Sequence, residues 1–194
     1  YEILLGSRQQ TEPPEWCPQA KVFQTQWGSL AQLEHICNTV NAVVHLAGMN
    51  AQDCATDPIA ALEVNAVATA RLLQAAVRQG AKRFIHISTA HVYGSPLTGV
   101  ITEETYPASL CPYAASHRAG EDVVRAANQR GEIEGIVIRL SNTFGAPAHK
   151  DTNCWMLLVN DLCRQAVSTQ RMVLRSSGLQ RRNFVPMHDV CRAI

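Results

Sequence analysis

AVVHLAGMNAQDCATDPIAALEVNAVATARLLQAAVRQGAKRFIHIST, residues 42–89, reads as a strand, a helix and a second strand in succession. AVVHLAG, residues 42–48, is a short apolar run with adjacent valines, the composition of a buried strand. Asp57 with Pro58 behind it makes an N-cap and first-turn pair, and a helical pattern runs from there to Gly80. KRFIHIST, residues 82–89, is the next strand. A helix between two apolar strands returns the chain to the same end of the sheet, so the strands are expected to run parallel.

The same alternation extends in both directions. Upstream, YEILLG (1–6) reads as a buried strand and KVFQTQW (21–27) as a second, with a loop at 9–20 that holds Pro13, Pro14 and Pro18. Ser29 can cap a helix whose apolar positions Leu30, Leu33, Ile36, Cys37 and Val40 recur at helical spacing. Downstream come a helix at about 111–130, a strand EGIVIRLSN (134–142) ending at Gly145 and Pro147, and a helix WMLLVNDLCRQAV (155–167). A short strand RMVL (171–174) follows, and HDVCRAI (188–194) begins a last helix. The pattern predicts an α/β fold with a doubly wound parallel sheet in one domain over residues 1–194.

Bulk composition narrows the partners. The chain of 194 residues is 46% hydrophobic and 17% charged, enough to build a core without staples. Seventeen basic and sixteen acidic residues leave a net charge of +1, which gives no field to gather nucleic acid or a lipid surface. A small-molecule partner is expected. The seven cysteines are scattered, with no CxxC pair, and read as reduced thiols in the cytoplasm; no metal cluster is expected. No apolar run approaches the roughly 20 residues that span a bilayer.

Chemistry concentrates in LCPYAASHRAGEDVV, residues 110–124. Tyr113 and His117 lie four positions apart, on one helical face, so both side chains can reach one small molecule. The pair resembles the Tyr-x-x-x-Lys signature of the short-chain dehydrogenase/reductase superfamily, with histidine in place of lysine. Further stretches resemble the extended branch of that family, the NAD(P)-dependent sugar-nucleotide epimerases and dehydratases, in order along nearly the whole chain. They are HLAGMN (45–50), NAVATARLL (65–73), HISTAHVYG (86–94), RLSNTFGAP (139–147) and RRNFVPMHDVCRAI (181–194).

The resemblance implies a Rossmann-like fold, hydride transfer between a nucleotide sugar and NAD or NADP, and a set of roles. Thr89, Tyr113 and His117 are implied as catalytic, with Tyr113 the acid/base and His117 the ribose contact. Leu46, Ala47, Gly48 and Asn65 are implied on the cofactor side, Asn65 mainly through structure. Tyr93 is a pocket wall, and Asn142 a substrate contact or a turn residue. Arg181 and Arg182 face a nucleotide diphosphate or solvent, and Asp189 is a helix cap. Ser7 and Arg8 follow the strand where such folds choose their cofactor. With no acid there and an arginine able to bind phosphate, NADP is favoured over NAD. A homodimer is a further expectation, and residues 149–194 read as the start of a substrate-binding region.

Two features depart from the family pattern. No G-x-G-x-x-G-like run occurs, so the chain is expected to lack the first strand-turn-helix unit and most of a C-terminal substrate region. The other is His117. Lowering a tyrosine pKa from about 10 to about 7 needs roughly 4 kcal/mol. A full charge about 5 Å away supplies roughly 3 kcal/mol at an effective dielectric near 20, whereas an imidazole is only about a quarter charged at neutral pH. Three readings follow: imidazole still binds the ribose while Tyr113 works mainly as a proton donor, another cation such as the adjacent Arg118 substitutes, or the protein keeps the fold without catalysis as an NAD(P)-binding or interaction protein.

Overall fold

The computed structural model describes residues 2–9, 11–94, 96–149 and 152–194. Its centre is a parallel sheet in the order β3 (Ala42–His45), β4 (Arg83–Thr89) and β5 (Glu134–Leu140), with His45 opposite His86 and Thr89 opposite Leu140. A parallel pair β1 (Leu4–Ser7) and β2 (Lys21–Gln24) forms a second sheet, and β6 (Asn142–Phe144) pairs with β7 (Phe184–Pro186) in a third. Every strand pair is parallel, as the alternation predicts.

Ser29 caps helix α1 (Leu30–Cys37) by accepting from the Gln32 N–H. Asp57 caps the long central helix by accepting from the Ala60 N–H at 2.9 Å. That helix runs as α3 (Pro58–Leu62), a π-helical turn at Glu63–Val67, and α4 (Ala68–Arg78). The core joins α1, α4, β4 and α5 (Pro112–Gln129) through Leu33, Cys37, Leu73, Phe84, Val124 and Ile133. Gly120 of α5 is required by close approach: a Cβ there would stand 2.7 Å from the Asn65 carbonyl oxygen.

Several expectations are corrected. RMVL is not a strand; its Val173 N–H donates to the side chain of Gln165 of α6 (Leu158–Thr169), at Oε1, 2.7 Å away. The 134–142 strand ends at Leu140, and after Ser141 the chain joins a different sheet as β6. The first strand is half-buried rather than buried, with Gly6 exposed. Asp189 sits in the first turn of α7 (Met187–Ala193), whose cap position is Pro186. Helix α2 (Ala51–Thr56) was signalled by Asn50, which accepts from the Gln52 and Asp53 N–H groups.

Candidate active site

The carboxyl ends of β3 and β4 and the amino end of α5 open onto one cavity of about 1120 Å³, larger than an ordinary drug-sized pocket. In open α/β sheets ligands bind outside the carboxyl ends of the strands. Leu46, Gly48, Thr89, Tyr113, His117 and Asn142 all line it. Arg181 and Arg182 line it as well, carried there by the chain that leads into β7. Asn142 is anchored by donating from Nδ2 to the Asn183 carbonyl at 3.0 Å.

Helix geometry sets the central pair. Pro112 starts α5, Tyr113 lies in its first turn, and His117 follows one turn later. Their rings meet edge to face with centroids 4.7 Å apart. Burial raises the Tyr113 pKa above the usual phenol value, and the Thr89 hydroxyl opposes that shift. Burial lowers His117 to about 4, with His86 adding to the fall and Glu121 opposing it. At neutral pH the phenol therefore keeps its proton and the imidazole is uncharged. Arg118 does not substitute as the cation, because it pairs with Asp122 at 2.8 Å and Glu121 at 3.7 Å.

Asn65 stands behind this pair. The π turn holds it inward, and its Oδ1 accepts from the Met49 N–H at 2.7 Å while Nδ2 donates to Ser116 Oγ at 3.0 Å. One buried amide thus ties the loop after β3 to α5. A Cβ on Gly48 would lie 3.3 Å from Asn65 Oδ1 and 3.5 Å from His117 Cε1, so the backbone fits closely against both.

Three histidines run inward from the cavity. His117 lies 6.2 Å from His86, and His86 stacks on His45 at 5.6 Å. Thr69 donates its hydroxyl to the Asn65 carbonyl, so His45 donates to Thr69 and carries its ring proton on Nε2. Burial lowers His86 to about 4, and lowers His45 to about 3 with help from the neighbouring histidines.

Other expected residues lie elsewhere. Tyr93 is not in the cavity lining; its hydroxyl accepts from Arg139, whose guanidinium stacks 4.7 Å above its ring. Ser7 ends β1 and Arg8 follows it, both outside the lining, with the Arg8 carbonyl accepting from Gln24 Nε2, and Ala47 is also outside it. The sequence reading missed Glu121, fully buried in α5, which accepts from Ser88 Oγ at 2.6 Å and from Arg139 Nη2 at 2.6 Å. This network fixes the ends of β4 and β5 and the turn that carries Tyr93. Its signal was an arginine inside the apolar pattern GIVIRL. His91 was missed too: it lines the cavity with its ring 6.1 Å from that of Tyr113.

His117 and Gly48 are the residues here that could border the riboside of a nicotinamide cofactor. His117 Nδ1 is buried without a partner, and the side-chain-free backbone of Gly48 borders the cavity beside it. Among the described residues, no group of three His, Cys, Asp or Glu is placed to hold a metal ion, and no helix is long and apolar enough to cross a membrane.

The profile of the NAD dependent epimerase/dehydratase family matches residues 1–194. A dTDP-glucose 4,6-dehydratase of Streptomyces niveus is 32% identical over 155 residues, covering 79% of this chain and 45% of that protein. A dTDP-6-deoxy-L-talose 4-dehydrogenase (NAD(P)(+)) of Kitasatospora kifunensis is 30% identical over 170 residues, 86% of this chain and 51% of its own. The solved structure of MoeE5 in complex with UDP-glucose and NAD superposes with a TM-score of 0.80 at 26% identity, covering 99% of this chain and 62% of that one. The chain spans about half the length of the curated relatives it matches.

Proposed function

Because the chain belongs to the NAD dependent epimerase/dehydratase family, we propose that it carries the catalytic centre of an NAD(P)-dependent enzyme that acts on a nucleotide sugar by hydride transfer. The observation that carries this reading is the meeting of Thr89, Tyr113 and His117 in one cavity with Arg181 and Arg182. The nicotinamide, when bound, supplies the hydride chemistry at the sugar carbon. Gly48 and Leu46 border its place and His117 offers the ribose a ring nitrogen. Thr89 orients the reacting oxygen, Tyr113 gives it a proton, and Arg181 and Arg182 meet the diphosphate with a charge complement.

The raised pKa of Tyr113 and the lowered pKa of His117 favour the proton-donor reading, in which reduction of a carbonyl is easier than oxidation of an alcohol. They give a noncatalytic NAD(P)-binding protein no advantage, since a protonated phenol beside Thr89 is already a competent acid. NADP over NAD rests on Arg8 and Ser7 alone. Residues 149–194 begin the substrate side, supported by Gln180–Phe184 in the cavity wall. The seven free thiols fit a reducing compartment, the cytoplasm. Association of two copies completes the proposal, with exposed Ile59, Leu62 and Val67 supplying apolar area.

The test is to incubate the protein with NAD or NADP, oxidised and reduced, and a panel of UDP and dTDP sugars. The ultraviolet band of reduced nicotinamide and the mass of the sugar product are the readouts. Conversion of at least one nucleotide sugar is expected; none with any pair contradicts the proposal.

A further inference from the structure

The cavity is unusual in the acids and bases it lacks. Among its described lining residues the ionisable side chains are His91, Tyr113, His117, Arg181 and Arg182, with no Asp, Glu or Lys. Arginine does not exchange protons at ordinary pH. His117 is 7% exposed with its Nδ1 unpartnered, and it stands behind Tyr113 on the core side, next to His86. His91 is different: it is exposed, its backbone N–H donates to Thr89 Oγ1 at 3.2 Å, and its ring meets that of Tyr113 edge to face at 6.1 Å. The short 3-10 turn Ala90–Tyr93, capped by Thr89, therefore holds one solvent-reaching imidazole beside the phenol.

We propose that His91 is the residue that resupplies Tyr113 with its proton, linking the buried phenol to solvent. This rests on the functional reading above. In the reducing direction, reduced nicotinamide, when bound, would supply a hydride with its electron pair to the carbonyl carbon as the C–O π bond breaks. The carbonyl oxygen takes the Tyr113 hydroxyl proton. The resulting phenolate takes a proton from the His91 imidazolium, and the neutral imidazole takes one from solvent hydronium or a buffer acid, so that one solvent proton is consumed per carbonyl reduced. The alcohol is formed, the nicotinamide is oxidised, and both side chains return to their starting forms. Imidazole is a side chain suited to such exchange near neutrality, and the His91 ring meets that of Tyr113 from α5 while its backbone N–H ties its turn to Thr89.

The experiment compares the wild-type protein with His91→Gln, using the nucleotide sugar that supports turnover, with and without added imidazole. The expected result is a fall in kcat of about 100-fold with KM and cofactor affinity kept within about twofold, and recovery of at least about tenfold in imidazole buffer. A second readout is independent of turnover: carbethoxylation by diethyl pyrocarbonate, mapped by mass, should label His91 ahead of His45, His86 and His117, and UDP-glucose or dTDP-glucose should protect it. A kcat within twofold of wild type, a loss that imidazole does not restore, or labelling without protection by either sugar overturns the inference. Wild-type turnover with unaffected His91→Gln overturns this inference alone. A wild type that converts no nucleotide sugar overturns the functional reading and this one with it.

Discussion

Tyr113 and His117 meet edge to face at 4.7 Å, but the imidazole brings no charge to that contact, because burial holds its pKa at about 4. The pair is a protonated phenol beside a neutral imidazole. The site's direction of work, its pH response and its tolerance of substitution follow from that.

Replacing His117 by lysine tests the point. A full cation about 5 Å from the phenol oxygen supplies roughly 3 kcal/mol, so the ionisation of Tyr113 should move down by on the order of 2 pH units. Ultraviolet difference titration against His117→Lys/Tyr113→Phe checks this, and activity near neutral pH should be unchanged or higher. A large fall in activity with Tyr113 ionisation moved as expected would show a separate role for the imidazole.

Acid should unfold the protein through its histidine file. His45, His86 and His117 are lowered to about 3, 4 and 4 in the fold, against a reference near 6.5 in the unfolded chain. Their contribution is fully present above the unfolded value and is lost as pH falls through the folded values. Between about pH 6 and 4 the unfolded chain binds more protons, and stability should drop by up to about 1.4 kcal/mol per pH unit for each histidine. Urea unfolding across that range measures the slope, and His86→Phe should flatten it. An unchanged slope in the variant contradicts the assignment.

Fold class was legible because local and global signals agreed. Apolar strands alternated with capped helices, and Ser29 and Asp57 cap where their sequence context put them. Tyr113, Thr89 and Asn142 reached one cavity from motifs more than 20 residues apart. The rest was hidden for physical reasons. Glu121 and Arg139 find each other only once α5 lies on β5, and no spacing along the chain marks a pair on separate elements. RMVL has strand composition, but its Val173 N–H is bonded to the Gln165 side chain rather than to a neighbouring strand. The charge state of His117 depends on burial, which a four-residue spacing does not encode.

Asn65 should act as a tie rather than a reagent. Asn65→Ala leaves the part-buried Met49 N–H without its acceptor, a cost of roughly 1–3 kcal/mol, and removes the donor to Ser116 Oγ, which keeps its bond to the Tyr113 carbonyl. Thermal unfolding checks the loss. Cofactor affinity should fall with it, since the loop that carries Gly48 is released.

Glu121→Gln should cost more. It leaves Arg139, largely buried, without its carboxylate, and breaking such a pair from one side costs about 3–5 kcal/mol. Denaturant unfolding measures it. Replacing Glu121 and Arg139 together with apolar residues of similar volume should recover part of the loss.

The most direct test of the whole account is Tyr113→Phe, which removes one hydroxyl and keeps the ring that packs on His117. Turnover of the nucleotide sugar should fall by about 100-fold or more, with dinucleotide affinity kept within about twofold. Turnover within a few-fold of wild type would contradict the assignment of Tyr113 as the acid of this site.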